Sequence, residues 1–301
     1  MTVVITGASG FLGRHVTEAF ARRGRPVVAL TRDARRLEAR DHVRVVQTDY
    51  TTIDLPRAST VVHLAAVRNT PGGKGSELQR VNVEVTERLA EAAVERQVRR
   101  FIHIGTALVL GSSRVPLDET APLTASDDPY IRSKVAGVRA LEAMEGLQLV
   151  TLLPSIIYGP DHPLARNRIT SHMRRLRSQR WRIAVSGPSA PRNLVYVDDV
   201  VQAIERAEDD PASSRRVVAG ENVMQEELEL AVYAALGRRP APRLVVPRVA
   251  VNAAARAADL FIRSEQGWLR RIEALRAPWC FRPSESHVSL AEGIARTIRS
   301  L

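Results

Sequence analysis

Short apolar runs alternate along the first half of the chain with longer stretches whose apolar positions recur every three or four residues. Thr2–Thr6, Pro26–Thr31, His42–Thr48, Thr60–Ala65, Phe101–Gly105 and Leu147–Leu153 read as strands. They are almost continuously apolar, as strands covered on both faces must be. Phe11–Arg23, Glu77–Gln97 and Tyr130–Met144 have helical spacing and the length to cross over between parallel strands. The pattern predicts an α/β fold, a doubly wound parallel sheet, with a core spanning residues 1–155.

The regularity changes after Pro154. A strongly basic helix is predicted at Thr170–Arg182, a strand at Leu194–Val197 and a helix at Asp198–Glu208, whose paired aspartates favour its start. Arg216–Ala219 reads as a return to the sheet, so residues 193–219 are expected to rejoin the core. The final third reads as mainly helical, broken by Pro240, Pro242, Pro247, Pro278 and Pro283. Ser289 and Glu292 resemble a capping box opening a last helix to about Arg299. Residues 252–261 read as a buried or partner-facing helix in preference to a peripheral membrane face. No internal repeat is evident.

Composition narrows the function classes. The 301 residues carry a formal net charge of +11, and 42 of the 44 basic residues are arginine; the two lysines are Lys74, in PGGKGS, and Lys134. The arginines are dispersed along the chain with no basic tail, which argues against nucleic acid as the partner. Hydrophobic residues make up 45% of the chain, enough for a large core. A lone Cys280 excludes an internal disulfide and any cysteine cluster, and the histidines and acids form no metal-ligand motif, so no metal is expected. The start MTVVITG lacks the features of a secretion signal, and no apolar run reaches 18 residues. The cytoplasm is the expected compartment.

Chemistry first appears in Thr6-Gly7-Ala8-Ser9-Gly10-Phe11-Leu12-Gly13, between the first strand and the first helix. Glycines permit a tight turn and close backbone approach to phosphate, and the helix N-terminus adds oriented amides for a pyrophosphate. Gly7, Ser9, Gly10, Phe11, Leu12 and Gly13 are therefore candidate cofactor contacts. The second strand ends at Thr31 and is followed by Arg32, whose guanidinium suits a 2′-phosphate; NADP(H) is favoured over NAD(H), with Asp33 as the contrary sign. Asp49 reads either as an adenine contact or as an ordinary Asx turn. Leu64, Ala65 and Ala66 end the fourth strand with side chains that let the chain pass close to a cofactor, or let sheet and helix pack closely.

The second signal is Tyr130-Ile131-Arg132-Ser133-Lys134. Spacing by four places Tyr130 and Lys134 on one helix face, where an ammonium favours tyrosinate and proton exchange with a substrate oxygen. Thr106, just past the fifth strand, adds a hydroxyl for the same oxygen. His63 and His103 read as structural.

Together these residues resemble the extended short-chain dehydrogenase/reductase family, in its NAD-dependent epimerase/dehydratase branch. TGASGFLG matches the cofactor turn and YIRSK the YxxxK pattern, and HLAA, NVEVT, IHIGTALVLG, PSIIYGP, RNLVYVDDV and FRPSESHVSLAEGIARTI match further landmarks over nearly the whole chain. The resemblance implies a Rossmann-like doubly wound sheet with a smaller, discontinuous substrate-binding region, residues 156–192 and 220–301. It makes Tyr130 the acid/base, Lys134 its tuning partner and a ribose ligand, and Thr106 the substrate-oxygen anchor. Asn82 is implied as a structural residue, and Pro154, Ile156 and Ile157 as neighbours of the nicotinamide. Two positions depart from the pattern: Gly105 stands where a small hydroxyl residue is frequent, and Leu153 where many relatives have arginine.

The expected activity is NAD(P)-dependent, reversible ketone/alcohol hydride transfer, either ketoreduction or epimerisation through a transient ketone. A nucleotide sugar is the favoured substrate class, with Arg192 as a candidate ligand for its phosphates. The competing substrate is a hydrophobic ketone or natural-product intermediate, and the competing class is an inactive NAD(P)-binding scaffold. A dehydratase is disfavoured, because Ala107-Leu108 stands where related dehydratases carry an acidic pair. A homodimer is a family-level expectation.

Overall fold

The computed structural model describes residues 1–51, 54–68, 75–187, 189–210, 213–261, 277–285 and 287–301. Lys74 lies outside them. The main sheet contains seven parallel strands: β1 (Val3–Thr6), β2 (Val27–Thr31), β3 (Val43–Gln47), β4 (Thr60–His63), β5 (Arg100–Ile104), β7 (Leu149–Pro154) and β11 (Ser214–Val218), in the order β11-β7-β5-β4-β1-β2-β3. The chain runs outward from β1 through β2 to β3, then crosses to β4 and proceeds in the other direction. The carboxyl ends of β1 and β4 therefore flank a topological switch point, where ligands of open α/β sheets bind.

Both faces are covered because alternate residues of each strand are apolar. Val3, Ile5, Val62, Ile102, Val150 and Leu152 pack with Val16 and Phe20 of α1 (Phe11–Arg22) and Val200 and Ile204 of α6 (Val197–Ala207). On the opposite face Val4, Val28, Val61, Phe101 and Leu149 pack with Leu89 and Ala93 of α3 (Val85–Glu95) and Leu141 of α4 (Pro129–Glu142). The helix predicted at Glu77–Gln97 is observed as α2 (Gly75–Gln79), a π turn (Arg80–Glu84) and α3. This is a Rossmann-like, doubly wound α/β fold.

A second sheet collects strands from the rest of the chain. Its order is β12 (Glu221–Val223), β10 (Arg192–Tyr196), β14 (Trp279–Phe281), β6 (Ser113–Leu117), with β8 (Ile156–Tyr158) also paired to β10. The predicted strand at Leu194–Val197 thus belongs here, while α6 and β11 return to the main sheet. The basic helix ends sooner than its charge pattern indicates. α5 covers Arg168–Ser178, Gln179 already has extended backbone, and Arg182 opens β9 (Arg182–Val185). The β-branched and aromatic run Trp181–Val185 prefers a pleated surface, and β9 pairs in parallel with β13 (Arg243–Val246) as a separate ribbon. The final third therefore holds strands β12, β13 and β14 beside the helices α7 (Gln225–Ala235), α8 (Arg248–Phe261) and α9 (Leu290–Arg299). Ser289 caps α9 by accepting from Glu292 N at 3.3 Å.

Candidate active site

The glycine turn forms at the carboxyl end of β1. Gly7 takes the left-handed φ of +65°, and a Cβ there would come 2.8 Å from Ala65 N. A Cβ on Gly13 would collide with Gly7 O. The close approach of turn, α1 and the 64–66 loop therefore requires glycine at both positions. Gly10 N donates to Gly7 O at 3.0 Å, and Gly10 is an N-cap with no side-chain bond, so the opening amides of α1 are not capped by a side chain. That is the donor set a pyrophosphate needs, and the residues present fit a dinucleotide there. Ser9 Oγ accepts from Thr31 Oγ1 at 2.7 Å, tying the turn to the end of β2. Phe11 stands edge-on to His15, and Leu12 packs against the apolar cores.

Beyond Thr31, Asp33 is committed to a local cap. Its carboxylate accepts from Arg35 N at 3.1 Å and from Arg35 Nε at 3.0 Å, and this pairing holds it below the usual carboxylate range. Arg32 is exposed, with Nη1 3.8 Å from Glu77 Oε1. Asp49 accepts from Thr51 N and Thr51 Oγ1 at 2.9 and 2.7 Å, which is the Asx-turn alternative. Its neighbour Tyr50 does what the sequence did not disclose. Buried and at φ +63°, it places its hydroxyl where Gly7 N donates to it at 3.2 Å.

A buried hydrogen-bond chain crosses the sheet behind the turn. Thr6 Oγ1 accepts from Leu64 N and Ala65 N, both at 3.1 Å, so its own proton goes to His63 Nδ1 at 2.8 Å. His63 then carries its proton on Nε2 and donates to Thr86 Oγ1 at 2.9 Å, which donates to Asn82 O at 3.2 Å. Burial, assisted by the charge of Lys134, lowers His63 to about 3 and fixes it neutral. His103 stacks on His63 at 5.5 Å and is pushed well below its ordinary value by the same causes.

Asn82 lies in the π turn and clamps the next loop. Its Oδ1 accepts from Val67 N at 2.8 Å, and its Nδ2 donates to Val67 O at 2.9 Å and to Ser133 Oγ at 3.0 Å. Ser133 Oγ donates to Tyr130 O at 2.8 Å, so the loop after β4 and the reactive turn of α4 are held by one amide. Asp128 caps α4 by accepting from Tyr130 N and Ile131 N, with Pro129 at the favoured first helical position.

Thr106 sits at the end of β5, nearly buried, its Oγ1 accepting from Leu108 N at 3.4 Å. Lys134 is only 3% exposed and donates to Ile104 O at 3.1 Å; burial lowers its ammonium to about 8. Burial raises the Tyr130 phenol, Asp128 raises it further, and the positive group that pulls it back is Arg68. Arg68, on the loop after Val67, is the second residue that sequence reasoning missed. The charge of Lys134 is felt by His63 and His103.

A cavity of about 750 Å³ opens between the second sheet, α7 and the β9–β13 ribbon; Thr106, Tyr130 and Lys134 are not among its lining residues. Ile156, Ile169, Val223 and Leu228 contribute apolar wall, Arg192, Arg243 and Arg248 positive charge, and Glu226 and Glu229 negative charge. Ile157 continues β8 in register with Val195, and Pro154 closes β7. Burial lowers the Arg192 guanidinium, and Arg168 lowers it further. Ala66 is exposed, beyond the carboxyl end of the central strand β4. Among the described residues no cluster of three His, Cys, Asp or Glu side chains is placed to hold a metal.

Comparison with known proteins gives one family. The NAD dependent epimerase/dehydratase family model matches residues 3–220. The chain is 27% identical to a UDP-glucose 4-epimerase of Mycolicibacterium smegmatis over 99% of this chain and 97% of that protein. It is 30% identical to a dTDP-4-dehydro-6-deoxy-D-allose reductase of Streptomyces bikiniensis over 88% of this chain and 90% of that one. Among solved structures, MoeE5 in complex with UDP-glucuronic acid and NAD superposes with a TM-score of 0.72 at 24% identity, covering all of both chains.

Proposed function

The chain belongs to the NAD-dependent epimerase/dehydratase family of extended short-chain dehydrogenases/reductases, and is an enzyme of that family; on that premise we propose that it catalyses reversible ketone/alcohol hydride transfer on a nucleotide-activated sugar. The observation that supports the substrate class is Arg192, which lines the cavity and feels the charge of Arg168 at the start of α5. A guanidinium fork in the cavity wall offers the paired donors that the oxygens of a diphosphate accept from.

The nicotinamide cofactor, when bound, supplies hydride exchange with the carbon of the carbonyl or alcohol. Tyr130 holds or takes the proton at the substrate oxygen, and Thr106 hydrogen-bonds that oxygen and orients it. Lys134 holds the ribose side of the site and keeps positive charge beneath it. Asn82 and Ser133 fix the turn that carries Tyr130. The opening amides of α1 receive the pyrophosphate, and Gly7 and Gly13 let the turn lie close against the 64–66 loop and α1.

NADP(H) is the preferred form in this reading, supported by Thr31 at the strand end, by the accessible Arg32 and by the engagement of Asp33 in its own cap. A hydrophobic ketone is the second reading, favoured by the aliphatic wall of Ile156, Ile169, Ile183, Val185 and Val251. The cytoplasm as compartment, supported by the single buried Cys280, and a homodimer belong to the same proposal. Among the described residues no helix is long and apolar enough to cross a membrane.

The test is a steady-state comparison of wild type and Arg192→Met on UDP- and dTDP-linked 4-keto sugars and on a simple aryl ketone. A rise in KM of about tenfold or more, confined to the nucleotide sugars and with kcat kept, is expected. An equal effect on the aryl ketone, or none on the nucleotide sugars, contradicts the diphosphate assignment.

A further inference from the structure

The net charge of the chain is not evenly shared. Residues 162–197 and 230–258 contain thirteen arginines and no aspartate or glutamate, leaving 31 basic against 33 acidic residues in the rest of the chain. The whole +11 excess therefore arises in these two segments, which meet in the β9–β13 ribbon. Register pairs Arg182 with Arg243, Ile183 with Leu244 and Val185 with Val246.

On the side of the ribbon toward α7 the two arginines have partners, while Val245 on that side is exposed. Arg182 is buried, ion-paired to Glu229 at 3.3 Å and lying over the Tyr233 ring, and Arg243 pairs with Glu226 at 3.1 Å. By strand alternation Trp181, Ile183 and Val185, with Leu244 and Val246 beside them, occupy the opposite side. Trp181 is 62% exposed, Ile183 72% and Leu244 55%, and Val249 in the first turn of α8 is 80% exposed. A sheet with one face in water ordinarily turns polar residues outward. Here both members of the Ile183–Leu244 pair are apolar and both are in water. Exposed arginines border the patch: Arg180, Arg238 and Arg239 ahead of the two strands and Arg248 after β13.

We propose that this face of the ribbon docks on an anionic lipid surface. An indole and aliphatic centre suits the acyl-chain boundary, and a guanidinium fringe on long apolar stems suits the phosphate level. A second copy of the chain fits poorly, because a two-fold contact would set one arginine-fringed patch against its own image. The contact is carried by the ribbon and the first turn of α8, ahead of residues 252–261. Ile183 and Val185 also line the 750 Å³ cavity, so docking brings the cavity mouth to the lipid. Lipid binding is measured without turnover and does not depend on which substrate the cavity takes.

The experiment is sedimentation of the full chain with phosphatidylcholine vesicles and with vesicles containing phosphatidylglycerol, at low salt. Pelleting with the anionic vesicles alone is expected, with a blue shift of tryptophan emission that Trp181→Phe removes. The double variant Ile183→Ser/Leu244→Ser should lower the bound fraction about tenfold, with circular dichroism and cofactor affinity confirming that it folds. Arg180→Ser/Arg239→Ser should release at lower salt than wild type. Wild type remaining in the supernatant with anionic vesicles overturns the proposal, as does pelleting unchanged in the apolar double variant. Lipid-free dimerisation abolished by that same variant would assign the face to a second copy and overturn it equally. Stable capture of an acidic protein on the patch, in place of vesicles, would overturn it too.

Discussion

Leu153 occupies the space that a side chain at position 105 would take: a Cβ on Gly105 would lie 2.6 Å from Leu153 Cδ2. The two departures from the family pattern are thus one packing solution. Leu153 is fully buried, so a side chain beside Thr106 would require its Cδ2 to shift within a packed core. Gly105→Ser should destabilise the fold by about 1–3 kcal/mol through overpacking. Leu153→Ala alone should cost about 2–5 kcal/mol through its cavity. Combined, they should cost less than the sum, and urea unfolding of the four proteins measures that coupling. Strict additivity would mean the two positions do not share the space.

Arg68 is the positive group that offsets part of the effect of burial on the Tyr130 phenol. Burial raises the phenol and Arg68 pulls it back, so Arg68→Met should raise it further. Alcohol oxidation needs the deprotonated phenol, and its kcat/KM profile should therefore move its rising limb to higher pH. A limb that stays put, or moves down, separates Arg68 from Tyr130.

His63 predicts loss of stability in acid. Its folded value of about 3 lies below the ordinary 6.5, so the unfolded chain binds the proton first. The contribution is complete above about pH 6.5 and is lost as pH falls toward 3, at up to about 1.4 kcal/mol per pH unit for each such histidine. His103 acts in the same direction. Urea unfolding at several pH values should show the slope, and His63→Asn should flatten it; an unchanged slope contradicts the buried neutral ring.

Tyr50 holds the glycine turn through Gly7 N. Tyr50→Phe leaves that amide without its acceptor at a cost of about 1 kcal/mol. Cofactor affinity measured by fluorescence should fall by several-fold while far-ultraviolet circular dichroism is unchanged. Undiminished affinity would make the bond incidental.

The main sheet was legible because its strands are buried on both faces and read as apolar runs, and because TGASGFLG and YIRSK concentrate chemistry in a few adjacent positions. The second sheet was legible only at Leu194–Val197, which overlaps β10. β14 has three residues and β6 is largely exposed, so tertiary pairing defines them where periodicity cannot. Arg180 and Arg182 looked helical because a run of arginines has no period of its own, and pairing with β13 decided the matter. Tyr50 and Arg68 lie on loops, whose geometry brings them to the site from outside any motif. Asp49 was visible as two alternatives, and its bonds to Thr51 show the turn.

The most direct measurement follows hydride transfer by absorbance of the reduced nicotinamide, in wild type and Tyr130→Phe, with cofactor affinity determined on both. Turnover of a keto substrate by wild type, lowered by about 10²–10⁴ in the variant at unchanged cofactor affinity, is the predicted result. Equal turnover in both proteins would contradict the role of Tyr130. Tight cofactor binding with no turnover by wild type, across nucleotide-sugar and ketone panels, would contradict hydride transfer itself.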